Sequence, residues 1–263
     1  MAILRDTVVV NGDNLGDFGL QWQNRSGWGD SPRAQVVTHR LPDGDGVFFQ
    51  EVNITAPRLM TISGIVHASD VSTLLGNIDD IKSRLEGLIK VSFSDDSDRF
   101  VAGRKESLVV GDFQPGAIVP TKPYTLKVVC PDPRRYSNSV TSVGEGAPCP
   151  LGTANVRPVI TITGPSADPT TVALKDYQGN TVSTFTIAAS LSSGESWLID
   201  SETAQVLHDD GAGTVTSVLS SFSGTLPNLK QEDADFGSSA WPSFTATAGS
   251  PDSMVISYQK AWQ

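Results

Sequence analysis

Positions 57–93 read PRLMTISGIVHASDVSTLLGNIDDIKSRLEGLIKVSF, and the spacing of their apolar residues changes twice. Leu59 to Val66 is a short run of strand formers. From Asp70 to Gly87 the residues Val71, Leu74, Leu75, Ile78, Ile81 and Leu85 recur at intervals that place them on one helical face, which predicts an amphipathic helix. Ser69 or Asp70 can accept hydrogen bonds from the free N–H groups of its first turn, and Gly87 can end it in a left-handed conformation. Leu88 to Phe93 returns to a strand pattern, so the stretch reads strand, helix, strand.

Outward from this stretch, short β-type runs dominate. On the N-terminal side they are Thr7 to Val10, Gln35 to Thr38 and Val47 to Ile54; after it come Leu108 to Val110 and Tyr124 to Cys130. Asn11-Gly12, Asp43-Gly44-Asp45-Gly46 and Pro115-Gly116 supply the backbone angles that reversals require. From Ser137 to Asn155 the chain is rich in Ser, Gly and Pro without an apolar period, the composition of a linker or extended arm. A second series follows: Val159 to Ile162, Val172 to Leu174, Val182 to Ile187, Ser196 to Ile199, Val215 to Leu219 and Met254 to Tyr258. Turns at Gln178-Gly179-Asn180, Gly194-Glu195 and Asp210 to Gly213 separate these runs as in a jelly-roll or lectin-like sandwich. The chain is therefore expected to be mainly β, with domains at 1–138 and 157–263 and a linker or arm at 139–156.

Acidic residues outnumber basic ones by 29 to 19, a formal charge of -10, which opposes binding to a phosphate backbone. Arg134 and Arg135 lack the surrounding basic stripe that would reverse this, so no specific nucleic-acid partner is expected. No segment is apolar enough to span a bilayer as a helix, and the first residues lack the features of a secretory signal, so synthesis in a cytoplasm and no membrane contact are expected. Cys130 and Cys149 form no metal motif; the reading as buried structural thiols is favoured over a disulfide.

Candidates for chemistry are weak. His39, His67 and His208 are dispersed, with no zinc-binding spacing. Neither a GxSxG elbow nor a Walker-type phosphate loop is present. Ser94-Asp95-Asp96-Ser97-Asp98 has the carboxylates calcium prefers but lacks EF-hand spacing, and a solvated turn is the favoured reading. Glu195, Asp200 and Glu202 are near in sequence, which does not give the spatial separation a glycosidase needs. Trp22, Trp28, Trp197, Trp241 and Trp262 fill cores and interfaces or stack on sugars; the first reading is favoured, with the Gly-rich segment of Trp22 and Trp28 as the best exposed candidate. No residue is assigned a catalytic, cofactor-binding or metal-ligating role, and no cofactor is expected.

Pro57 to Val66, the helix and Leu88 to Phe93 together resemble the N-terminal domain of phage distal tail (Dit-like) proteins, and Val128-Val129-Cys130-Pro131-Asp132-Pro133-Arg134-Arg135-Tyr136 resembles the end of that domain. Arg157 to Gly164, Gly194 to Asp200, Val206 to Gly211 and the final Ile256 to Trp262 are similar to the family's galectin-like C-terminal domain. The resemblance covers most of the chain in the same order. It implies a β-rich ring-forming belt domain with one amphipathic helix, followed by a galectin-like β-sandwich. It further implies a non-enzymatic virion protein at the distal end of the tail: a homohexameric ring joining the tail tube and tape measure protein to the baseplate hub or tail fibre, with a channel for DNA. An acidic lumen that repels DNA would follow if the net charge faces inward. The main alternative is a carbohydrate- or receptor-binding tail module acting through the second domain on a host-surface glycan; a cell-wall hydrolase is a third.

Overall fold

The computed structural model of the chain describes residues 7–30, 34–40 and 47–262, the backbone alone at 34–40 and 47–55. Two compact units are present, one ending at Asn138 and the other spanning Ser139–Trp262. Each is built mainly of antiparallel strands.

In the first unit the strands are β1 (Val8–Val10), β2 (Asp13–Asn14), β3 (Leu20–Ser26), β4 (Ala34–Arg40), β5 (Val47–Thr55), β6 (Arg58–His67), β7 (Leu88–Phe93), β8 (Asp96–Val110), β9 (Thr121–Cys130) and β10 (Arg135–Ser137). The main sheet runs β2-β1-β7-β8-β9-β6-β3, β10 pairs with β8, and β4 and β5 form a separate antiparallel ribbon. The turn expected at Asp43 to Gly46 lies outside the described residues. Alternation is regular on β6 and β9: Met60, Ile62 and Val66 are buried, as are Tyr124, Leu126, Val128 and Cys130, while their neighbours are more exposed.

The expected helix is α1 (Val71–Arg84). Asp70 caps it, its carboxylate accepting from the Thr73 N–H at 2.9 Å and the Thr73 hydroxyl at 2.7 Å, bonds that hold its pKa below the ordinary value. Gly87 follows the last turn at φ +74°. The buried stripe is narrower than the sequence suggested. Leu74, Ile78, Ile81 and Leu85 enter the core, whereas Val71 and Leu75 are about half exposed, because one sheet can cover only one side of a single helix.

β3 crosses β6 closely at Gly64. A Cβ there would lie 2.0 Å from the Gln21 carbonyl oxygen and 2.8 Å from the Trp22 Cα, at a register shift between Trp22 and Asn24. Gly64→Ala is therefore expected to destabilise this unit by about 2 kcal/mol through enforced strand separation, measurable by urea unfolding.

In the second unit the strands are β11 (Thr141–Gly144), β12 (Val159–Thr163), β13 (Thr170–Lys175), β14 (Thr181–Ile187), β15 (Ser196–Asp200), β16 (Gln205–Asp209), β17 (Val215–Ser217), β18 (Phe222–Gly224), β19 (Ser243–Ala248) and β20 (Ser253–Tyr258). They form two antiparallel sheets, ordered β11-β20-β12-β15-β16-β17 and β18-β14-β13-β19. Residues 139–156 are the stretch read as a linker or extended arm. Thr141–Gly144 pairs with β20, and Cys149, Leu151 and Ala154 are buried, so backbone pairing and small apolar side chains order a stretch without sequence periodicity.

Trp197 lies fully buried in β15, and its indole N–H has no hydrogen-bond partner among the described residues. A phenylalanine there forfeits volume but no hydrogen bond. Trp197→Phe is expected to cost only about 1 kcal/mol in chemical unfolding, well below the usual aromatic truncation.

Candidate functional site

The sequence candidates for metal and acid–base chemistry resolve into structural contacts. The acidic run at Ser94 to Asp98 makes the turn from β7 into β8, at Ser94 and Asp95, and the first three residues of β8. Asp95 forms a two-pronged pair with Arg25 at 2.7 and 2.6 Å, and Asp96 accepts the Trp28 indole N–H at 3.1 Å. Arg25 in turn lies over the rings of Phe93 (4.4 Å) and Trp22 (4.7 Å), while Trp22 and Trp28 meet Phe93 edge-on at 5.8 and 4.8 Å. Trp28 is buried and Trp22 half-buried, so this pair belongs to the core rather than to an exposed contact.

Glu195 and Asp200 flank the two ends of β15, about 17 Å apart along an extended strand, which is too far for a glycosidase pair. Glu195 accepts the Ser192 N–H at 2.8 Å, the main cause of its lowered pKa, and approaches His208 at 3.4 Å. Asp200 braces a turn by accepting from the N–H groups of Glu202 and Thr203. His67 is hydrogen-bonded to Gln21 at 2.7 Å; the side chain of His39 lies outside the described residues. Among the described residues no group of three metal-binding side chains converges.

Cys130 and Cys149 are free, buried thiols, and burial pushes their pKa values up to about 11 and about 12, which makes them poor nucleophiles. Near Cys130, Asp132 is held below its ordinary pKa: burial opposes ionisation, but bonds from the Arg134 guanidinium and the Tyr136 hydroxyl outweigh it. Arg58, 5% exposed, donates to the carbonyls of Pro133, Gly27 and Trp28 at 2.7, 2.8 and 2.6 Å.

What remains is surface. Strand register sets Leu88, Arg104, Val129 and Leu59 side by side across β7, β8, β9 and β6. The next residue on each strand turns into the core, as Ile89, Gly103, Val128 and Met60 do, so this row faces outward. Leu88 is 63% exposed and Leu59 50%. Further along the same face of β9, Lys127 pairs with Thr61 and Ser107, and Thr125 pairs with Val109, which is 62% exposed. Neither Arg104 nor Lys127 has an ion-pair partner among the described residues. Three exposed apolar side chains and two cations without an ion-pair partner among the described residues therefore share this face. The sequence reading missed this face, although Leu59 and Leu88 stand out of phase with their buried neighbours.

No family model matches the chain, and no curated protein matches it. Among solved structures it is similar to the SPP1 Dit (gp 19.1) protein, described as a paradigm of the hub adsorption apparatus in phages that infect Gram-positive bacteria. The TM-score is 0.75 over 98% of this chain and 99% of that one, at 18% identity. A second likeness, to the phage P2 baseplate in its activated conformation with Ca, has a TM-score of 0.49 at 7% identity over 97% of this chain and 98% of that one. The resemblance read from the strand–helix–strand segment thus extends to a shared fold: this chain, mainly β with an amphipathic helix in its first unit, is folded along its length like a phage distal tail protein.

Proposed function

We propose that this chain is a non-catalytic structural subunit of a phage tail tip or baseplate, located in the virion at the distal end of the tail. Its first unit, 1–138, assembles as a homohexameric belt ring that joins the tail tube and tape measure protein to the hub or fibre and leaves a channel for DNA. Residues 157–263 form the galectin-like sandwich. The observation that carries this reading is the fold likeness to SPP1 Dit over both whole chains. The open face at Leu59, Leu88, Arg104 and Val109 supports it, since a ring repeats one heterologous interface and needs such a surface on every copy.

The charge distribution revises the expectation of an acidic lumen. The second unit holds 12 of the 29 acidic residues but only 4 of the 19 basic ones, leaving the proposed ring unit with 17 and 15. Most of the negative charge therefore belongs to the second unit. A ring of near-neutral belt units has no strong net field of either sign with which to hold or repel DNA.

Light scattering of the full-length protein is expected to give about six times the 27.9 kDa chain mass, with annular particles in negative stain. A single-subunit mass at every concentration the protein tolerates would overturn the ring, leaving only the fold likeness.

A further inference from the structure

We infer that the exposed side of helix α1 is the second half of the contact between ring neighbours: Leu75, Gly76 and Asp80 of one copy dock on the open row of Leu59, Leu88 and Arg104 in the next. The docking rests on the ring reading, because a heterologous contact joins two different patches of one chain and the sheet row supplies only the first.

The two patches lie on opposite sides of one core. Leu74, Ile78, Ile81 and Leu85 bring α1 into a single cluster with Met60, Ile89 and Val128, the inward residues of β6, β7 and β9. The open sheet row turns away from that cluster on one side, and the exposed side of α1 turns away from it on the other. That side consists of two adjoining rows at four-residue spacing, Val71-Leu75-Asp79 and Ser72-Gly76-Asp80, all six residues exposed. Val71 and Leu75 are 48% and 47% exposed. A chain with one such patch on each side passes the contact from copy to copy until the ring closes.

The chemistry of the two patches is complementary. Both rows of the helix end in a carboxylate. Lys82 pairs with Asp79 at 2.8 Å, which leaves Asp80 without an ion-pair partner among the described residues, as Arg104 and Lys127 are on the sheet. Each patch therefore sets apolar side chains beside charge of one sign, and the signs are opposite. Gly76 fits the same contact. Glycine inside a helix is less favourable than alanine, yet no crowding within the chain calls for it here, since a Cβ would meet nothing beyond its own helix within 4 Å. Backbone bared at that point lets a neighbouring sheet come close.

The test follows the assembly of full-length proteins by light scattering across a concentration series at low salt. Asp79→Lys/Asp80→Lys and Arg104→Glu/Lys127→Glu each set like charge against like. Each is expected to need about tenfold more protein than the wild type for half assembly, with an unchanged circular dichroism spectrum. An equimolar mixture of the two is expected to assemble as readily as the wild type, because every junction of an alternating ring then joins opposite charges. Gly76→Gln decides the matter whether or not a double variant folds. Glutamine favours the helix over glycine, so the dilute monomer is expected to melt at the same temperature or higher while assembly weakens about tenfold. Variants that assemble like the wild type, Gly76→Gln included, overturn the docking and leave a ring closed by other faces, as does a mixture that stays dispersed. A wild type that never assembles overturns the ring and the docking together.

Discussion

Arg58→Met is expected to destabilise the first unit by about 3–5 kcal/mol in urea unfolding, the range for losing three hydrogen bonds made by a buried charged donor. Arg58 sits on the inward side of β6, in line with Met60 and Ile62, at a position where an apolar residue would ordinarily be placed. Its guanidinium fastens two segments far apart in sequence, donating to Gly27 and Trp28 on one side and Pro133 on the other. Burial disfavours its charge and Arg135 adds to that, while Asp30 and Asp132 offset part of the cost. Methionine fills the volume but leaves three carbonyls without donors, each a penalty of about 1 kcal/mol or more. Lysine keeps the charge but presents a compact ammonium instead of a planar fork, so Arg58→Lys is expected to recover less than half of the loss. Hydrogen-exchange mass spectrometry should localise the loosening to residues 27–30 and 131–136. A loss under about 1 kcal/mol would mean that water satisfies these carbonyls and that the clamp is incidental.

How far the sequence could be read depended on whether a signal was local. The β6–α1–β7 segment is legible because helix period, Asp70 cap and terminal Gly87 all lie within its own residues. β3 was missed because Gln21, Gln23, Asn24 and Arg25 read as polar loop among glycines. Its place is set by backbone pairing with β6, more than 30 positions on, and braced by Arg25 and Trp28, which reach Asp95 and Asp96 some 70 positions away. Long-range pairing also explains β8. Its start, Asp96-Ser97-Asp98-Arg99, has no strand pattern of its own, yet it pairs back onto β7 and onto β10. Residues 141–144 became a strand through β20, more than 100 positions on. For the surfaces the difficulty is reversed: Leu59 and Phe236 are ordinary core residue types in a sequence, and only register and burial reveal that they face water.

The other large expected effect concerns that register. Leu59→Glu combined with Val109→Glu is expected to convert a ring of the wild-type protein into single subunits while leaving its circular dichroism spectrum unchanged. Both side chains point away from the core, so the substitutions remove no internal packing. Covering a leucine or valine contributes about 1.5–3 kcal/mol at an interface, and a ring repeats that contribution at each subunit junction. Glutamates at these positions add desolvation cost and cancel the local cationic character set by Arg104 and Lys127. Arg104→Glu alone separates the two contributions: if charge steers assembly, its effect will grow at low ionic strength and fade with added salt. The outcomes are distinct. A wild-type ring that survives the double substitution means the ring is closed by another face of the molecule, whereas a wild-type protein that never assembles removes the ring itself. A ring lost in the double variant, with monomer stability intact, assigns the row across β7, β8, β9 and β6 to the contact between neighbouring copies.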